Sequence, residues 1–163
     1  MVAIGYEMYI SMLEKAVSRA QNGKNIDDLK EQEMIKNREV KIDLGVSAYI
    51  PDTYISDMVQ KISMYHKISE IENKKESVAL IEEMLDRYGT VPKEVENLIK
   101  IVEIRNICRE LGIKKISRKN ASIIISSDKL EQDLIYNLSS KDVLLSAEFY
   151  LKELQKMINK NNK

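Results

Sequence analysis

The chain has 163 residues, with 44 % apolar and 32 % charged side chains, enough to bury one core without disulfides or metal. Its 26 basic and 26 acidic residues cancel, which removes the long-range attraction to phosphate backbones expected of a strong nucleic-acid binder. One cysteine and one histidine exclude an internal disulfide and a closed Cys/His zinc site, and fit a reducing cytoplasm.

The chain begins abruptly, as if cut from something longer. Tyr9, Met12, Leu13, Ala16, Val17 and Ala20 recur at spacings of three and four, which predicts a helix ending near Gly23. Lys24 to Asn37 is polar, broken by Ile26, Leu29 and Met34, and reads as a linker. From Val40 to Ile50 apolar and polar residues alternate, which predicts a long strand with one buried face, stopped by Pro51-Asp52.

Three helices are expected next. Ile55, Met58, Val59, Ile62 and Tyr65 would line the first. Val78, Ile81, Leu85 and Tyr88 would line the second, closed by Gly89. The third starts near Pro92, with Val95, Leu98, Ile99, Val102 and Cys108 inward and Gly112 as its stop. Two short β-runs, Lys114–Ser117 and Ser122–Ser126, flank a hairpin turn that lacks an Asn-Gly signal. Asp128 followed by Glu131 resembles a capping box, so Leu130, Leu134 and Leu138 are expected on another helix. Val143, Leu145 and Ala147 alternate as a last strand, and Leu151, Leu154 and Ile158 line a final helix. The fold class is therefore α+β: five or six helices on a small mixed or antiparallel sheet of about four strands. No apolar run is long enough to cross a bilayer, and no membrane role is expected.

The chemistry is sparse. The five glycines form no phosphate-binding loop, so no cofactor is expected on these residues. His66 lies off the apolar stripe and reads as an exposed helix residue rather than a catalytic base, though a small hydrolase would have to use it. Cys108 shares a face with apolar residues and reads as a small hydrophobe. Glu83 and Asp86 are three apart, on one side of the second helix, with Arg87 expected to point elsewhere. They form either a solvated face or a docking patch for an arginine-bearing partner. Lys114, Lys115, Arg118 and Lys119 around the hairpin give the competing reading, a small nucleic-acid-binding module, but no aromatic residue is interleaved to stack bases.

Ile50-Pro51-Asp52, Tyr65-His66-Lys67-Ile68 and above all Leu85-Asp86-Arg87-Tyr88-Gly89-Thr90-Val91-Pro92 resemble, in order and spacing, the C-terminal domain of the bacterial transcription-repair coupling factor. Gly5-Tyr6-Glu7-Met8-Tyr9 resembles the helix that leaves that family's motor. The resemblance covers about residues 4–127 and loosens after Ile125, where the family usually carries a longer segment. It implies three parts: residues 1–23 as the helix leaving the upstream translocase, 24–37 as a linker and 38–163 as the C-terminal regulatory domain. It further implies a non-catalytic cover over the UvrA-binding domain of its own parent chain. UvrA, RNA polymerase and DNA would be reached only through the parent, whose upstream motor would hold ATP and Mg. Glu83 and Asp86 are then the expected interdomain contacts, and Arg87, Tyr88, Gly89 and Pro92 the expected structural turn.

Overall fold

The computed structural model describes residues 40–138 and 141–161. The helix expected over 1–23 and the linker over 24–37 lie outside the described residues. In chain order the elements are β1 (Lys41–Asp43), α1 (Met58–Ser69), α2 (Lys74–Tyr88), α3 (Lys93–Leu111), β2 (Lys115–Lys119), β3 (Ser122–Ser126), β4 (Leu134–Asn137) and α4 (Val143–Asn161). The class is α+β, with four helices among the described residues rather than five or six. The four strands form one mixed sheet in the order β1-β2-β3-β4. β1 runs parallel to β2, and both remaining pairs are antiparallel. The three-helix crossover from β1 to β2 supplies the long connection that a parallel pair requires.

The long strand is shorter than its alternation suggested. Leu44, Ala48 and Ile50 are buried as the pattern requires, but the ladder ends at Asp43. Gly45 follows at φ 67°, which turns the chain off the sheet edge. Beyond it, side chains replace the missing ladder: Asn97 Nδ2 donates to the Ser47 carbonyl at 2.9 Å, and the Ile50 N–H donates to the buried Tyr65 hydroxyl at 2.7 Å. Tyr65→Phe strands that buried N–H and is expected to lower stability by about 1–3 kcal/mol in urea unfolding, with an unchanged slope against denaturant.

The first two helices are rotated from the expected faces. Asp57 caps α1 by accepting from the Gln60 N–H, so Ile55 is buried in the turn before the helix. Met58 and Val59 are 62 % and 75 % exposed, while Lys61, Met64, Tyr65 and Ile68 face inward. Lys61 is buried whole, with its ammonium on Asp52 at the surface. Long lysine stems can lie against apolar neighbours in this way while the head keeps a counter-ion. In α2 the buried stripe is Ser77, Leu80 and Met84, while Val78 and Leu85 are exposed. Asn73 caps that helix and Glu76 reaches back to the Glu72 N–H, which fixes its start three to four residues ahead of the apolar pattern.

α3 is the central helix. The expected inner face of Val95, Leu98, Ile99, Val102 and Cys108 is buried, and so are Ile101 and Ile104 on a second side. It packs on α1 and on α4, which leaves it apolar around much of its circumference. Pro92 sits at the N-cap position, one residue before the first turn. Gly112 closes the helix at φ 71°, with the Ile113 N–H returning to the Cys108 carbonyl at 2.9 Å.

The hairpin is present, its first strand starting one residue and ending two residues later than expected. Its turn is Asn120-Ala121, with Asn120 at φ 55°, a left-handed conformation that asparagine tolerates better than most residues. After it, two expectations fail. The segment read as a helix with Leu130, Leu134 and Leu138 inward instead forms turns and then β4 on the edge of the sheet. Leu134, Tyr136 and Leu138 also alternate, and Ile-Tyr favours a strand when a neighbouring edge is free to pair. The strand expected at Val143, Leu145 and Ala147 is the first part of α4. Asp142 accepts from the Leu144 and Leu145 N–H groups at 3.0 and 3.2 Å and starts a helix whose buried set, Val143, Leu144, Ser146, Ala147 and Leu151, has helical spacing. Leu145 is exposed.

Candidate functional site

The segment with the most sequence-specific character, Leu85 to Pro92, is the end of α2 and its break to α3. The Gly89 N–H donates to the Leu85 carbonyl, and Gly89 itself lies at φ 84°. Tyr88 packs edge-on against Tyr54, with ring centroids 5.8 Å apart, and its hydroxyl donates to Gln60 at 3.2 Å. The Tyr54 hydroxyl lies 3.1 Å from both the Met84 and Gly89 carbonyl oxygens, so it ties the last turn of α2 to the residue that ends it. Loss of water around that phenol, and the neighbouring Tyr88, push its pKa up.

Arg87 points to the same side as Glu83, against the sequence expectation. Its Nη1 lies 2.9 Å from Glu83 Oε1, a helical i,i+4 pair, and its guanidinium carbon is 5.0 Å from the Tyr88 ring centroid. The same carboxylate oxygen takes Lys67 Nζ from α1 at 2.6 Å. The hydrogen bond from Lys67, then that from Arg87, hold the Glu83 carboxyl below its ordinary value. Glu83 is therefore the half-buried clasp between α1 and α2. Asp86 is exposed and has no ion pair among the described residues. An open groove of about 390 Å³ runs beside the clasp between these helices, lined by Lys67, Glu70, Glu76 and Glu83 over Ile71, Ala79 and Leu80.

No reactive centre is assembled from the other candidates. His66 lies on the surface with Nε2 3.3 Å from Glu70. Cys108 is buried in α3. Among the described residues no group of three or more His, Cys, Asp or Glu side chains could hold a metal ion. No helix among them is long and apolar enough to cross a membrane. In the basic hairpin Lys114 is paired with Asp128, and Arg118 Nε donates to the Asn120 carbonyl. Asp57 and Asn73, of residue types that favour helix N-caps, are the signal in the sequence that marks the starts of α1 and α2.

A family profile described as the TRCF domain matches residues 44–138. The transcription-repair-coupling factor of Rickettsia prowazekii (strain Madrid E) is 35 % identical over 122 residues, covering 75 % of this chain and 10 % of that protein. The transcription-repair-coupling factor of Bacillus subtilis (strain 168) is 32 % identical over 121 residues, covering 74 % of this chain and 10 % of that protein. The chain thus spans about a tenth of the length of these curated relatives. A crystal structure of the C-terminal domain of transcription-repair coupling factor superposes with a TM-score of 0.63 at 25 % identity, covering 73 % of this chain and 95 % of that one. A profile match over more than half of the chain, together with relatives 35 % and 32 % identical over about three quarters of it, shows that the chain belongs to the TRCF domain family of transcription-repair coupling factors.

Proposed function

We infer that this domain is a non-catalytic regulatory cover, which lies on the UvrA-binding domain of its own parent chain and masks it until the parent's motor engages at a stalled RNA polymerase. The observation that carries the reading is the match of this fold to nearly the whole of a solved C-terminal domain of a transcription-repair coupling factor. ATP hydrolysis and DNA translocation would belong to the parent's other domains. A cover of this kind need not bind tightly: holding the open state near 1 % takes about 2.7 kcal/mol, so a motor can still displace it.

The C-terminal end of α2 suits such a contact. Asp86 presents a carboxylate to solvent next to Leu85, which is half exposed, and an arginine on the partner could meet both. Glu83 contributes through the clasp that fixes α2 against α1. The test is binding of the 163-residue chain to the parent's UvrA-binding domain by calorimetry. Asp86→Lys is expected to weaken binding at least tenfold. The double change with Glu83→Lys should weaken it further and also lower the unfolding midpoint, because it opposes Lys67 and Arg87. Unchanged affinity in both variants removes this patch from the interface. No binding by the wild-type chain removes the cover.

A further inference from the structure

We propose that the free edge of β4, with the aromatic side chains of α4 beside it, docks a second copy of this chain, by antiparallel pairing of β4 with β4 about a two-fold axis. β1 and β4 are the two edges of the sheet. An edge strand offers unpaired N–H and C=O groups to other strands, and folded chains blunt it by shortness, by lysine or by proline. The β1 edge is blunted in this way: it is three residues long, carries Lys41 and Asp43, and is followed by the left-handed Gly45. β4 is Leu134-Ile135-Tyr136-Asn137, with neither a charge nor a proline.

The phase of the ladder shows which backbone groups are open. The Leu138 N–H donates to the Ala121 carbonyl at 2.9 Å, so Leu138, Tyr136 and Leu134 turn their backbone groups toward β3, and Ile135 and Asn137 turn theirs away. The Asn137 carbonyl accepts from the Tyr150 hydroxyl at 2.6 Å, which brings α4 round to the open side of β4. The Ile135 N–H and C=O have no partner among the described residues, and the Ile135 side chain is 66 % exposed on the outer face of the sheet. On the inner face Tyr136 stacks on Tyr150 with ring centroids 4.4 Å apart, and Phe149 meets Tyr150 edge-on at 5.3 Å. Phe149 is the only phenylalanine of the chain and stands 51 % exposed. The open edge is therefore flanked by an exposed apolar side chain from the sheet and another from α4.

A second copy fits this edge. A two-fold axis centred on Ile135 sets that residue against its own counterpart and closes both of its open backbone groups. In the same register Leu134 falls opposite Tyr136, and Asp133 falls opposite Asn137, so apolar meets aromatic and no like charges face each other. The partner also brings its own Phe149 to the same face of the joined sheet. A free peptide gains less. With the Asn137 carbonyl already occupied the open stretch is short, and strand bonds alone would have to hold the peptide. The interface is small, so the association is of the weak, concentration-dependent kind.

Sedimentation equilibrium of the 163-residue chain tests this. A monomer–dimer equilibrium is expected. Ile135→Pro removes the outward N–H and no bond to β3, and should weaken association at least tenfold. Phe149→Lys, on a different element, should also weaken it at least tenfold. Val59→Lys, which removes a still more exposed apolar residue from α1, should leave it unchanged. In Ile135→Cys the two-fold pairing sets the two Cα atoms about 5.5 Å apart, within disulfide reach. Oxidised glutathione should then link that variant into covalent dimers at least tenfold faster than Val59→Cys. A chain still wholly monomeric at about 1 mM overturns the proposal. So do association that neither Ile135→Pro nor Phe149→Lys weakens, association that Val59→Lys weakens as much as they do, and equal linking rates for the two cysteine variants.

Discussion

Ile116→Ala is expected to lower the unfolding free energy by about 4 kcal/mol, within the usual range for emptying a buried isoleucine site. Ile116 has no exposed surface and lies on the second strand, opposite Ile42 on one side and Ile125 on the other. Both neighbours are held by ladder hydrogen bonds and cannot move in to fill the space, which places the cost toward the upper part of that range. Urea unfolding followed by circular dichroism gives the number, and the slope against denaturant should be unchanged. Val59→Ala is the paired control. The apolar spacing of α1 put Val59 on its inner face, where the change would cost more than 1 kcal/mol. The structure leaves Val59 75 % exposed, so the change should be neutral or slightly stabilising, since alanine is the better helix former. A large loss at Val59 would mean that α1 is rotated from the position described.

A second large effect concerns Cys108 and pH. Burial pushes its thiol from 9.0 up to about 12. The fold therefore favours the neutral thiol, and the unfolded chain releases its proton first. The contribution to stability is complete below pH 9 and is lost as pH rises toward 12. Over that window the wild type should lose about 1.4 kcal/mol per pH unit more than Cys108→Ala. Taking the difference between the two proteins removes the tyrosine and lysine titrations they share. Equal slopes would show that the thiol reaches water in the folded state. The same burial predicts slow modification. At pH 8 the thiolate fraction is about 10⁻⁴, so a thiol reagent should react about a thousandfold slower than with an ordinary cysteine, until the chain is unfolded. Such a thiol is poorly suited to nucleophilic or redox chemistry.

The turn at the end of α2 is packed on one side and open to solvent on the other. Tyr88 and Tyr54 lock the chain reversal through ring packing and through hydrogen bonds to carbonyls, and Arg87 is occupied by Glu83 and the Tyr88 ring. That division leaves Asp86 and Leu85 as the outward residues of the motif. Under the proposed role, the locked turn holds Asp86 in a fixed direction, so binding does not have to order the backbone that presents it.

By itself the sequence determined the class of the fold, the buried face and both ends of α3, the β2–β3 hairpin, the burial of Cys108 and the family. These are cases where the signal is local: a long apolar stripe stopped by a left-handed glycine, strict alternation around a turn, or a run of motif residues in fixed order. Tertiary structure alone decided the facing of α1 and α2, where apolar residues cover more of the circumference than one neighbour can bury and side-chain caps choose the start. It also decided whether Leu134–Asn137 and Val143–Ala147 would be helix or strand. Both segments carry spacings that satisfy either period. The free edge of β3 drew the first into the sheet, and the cap of Asp142 with packing against α3 made the second a helix. The pairing of Glu83 with Lys67 likewise could not be read along the chain, because it joins residues sixteen apart that only the packing of two helices brings within 2.6 Å.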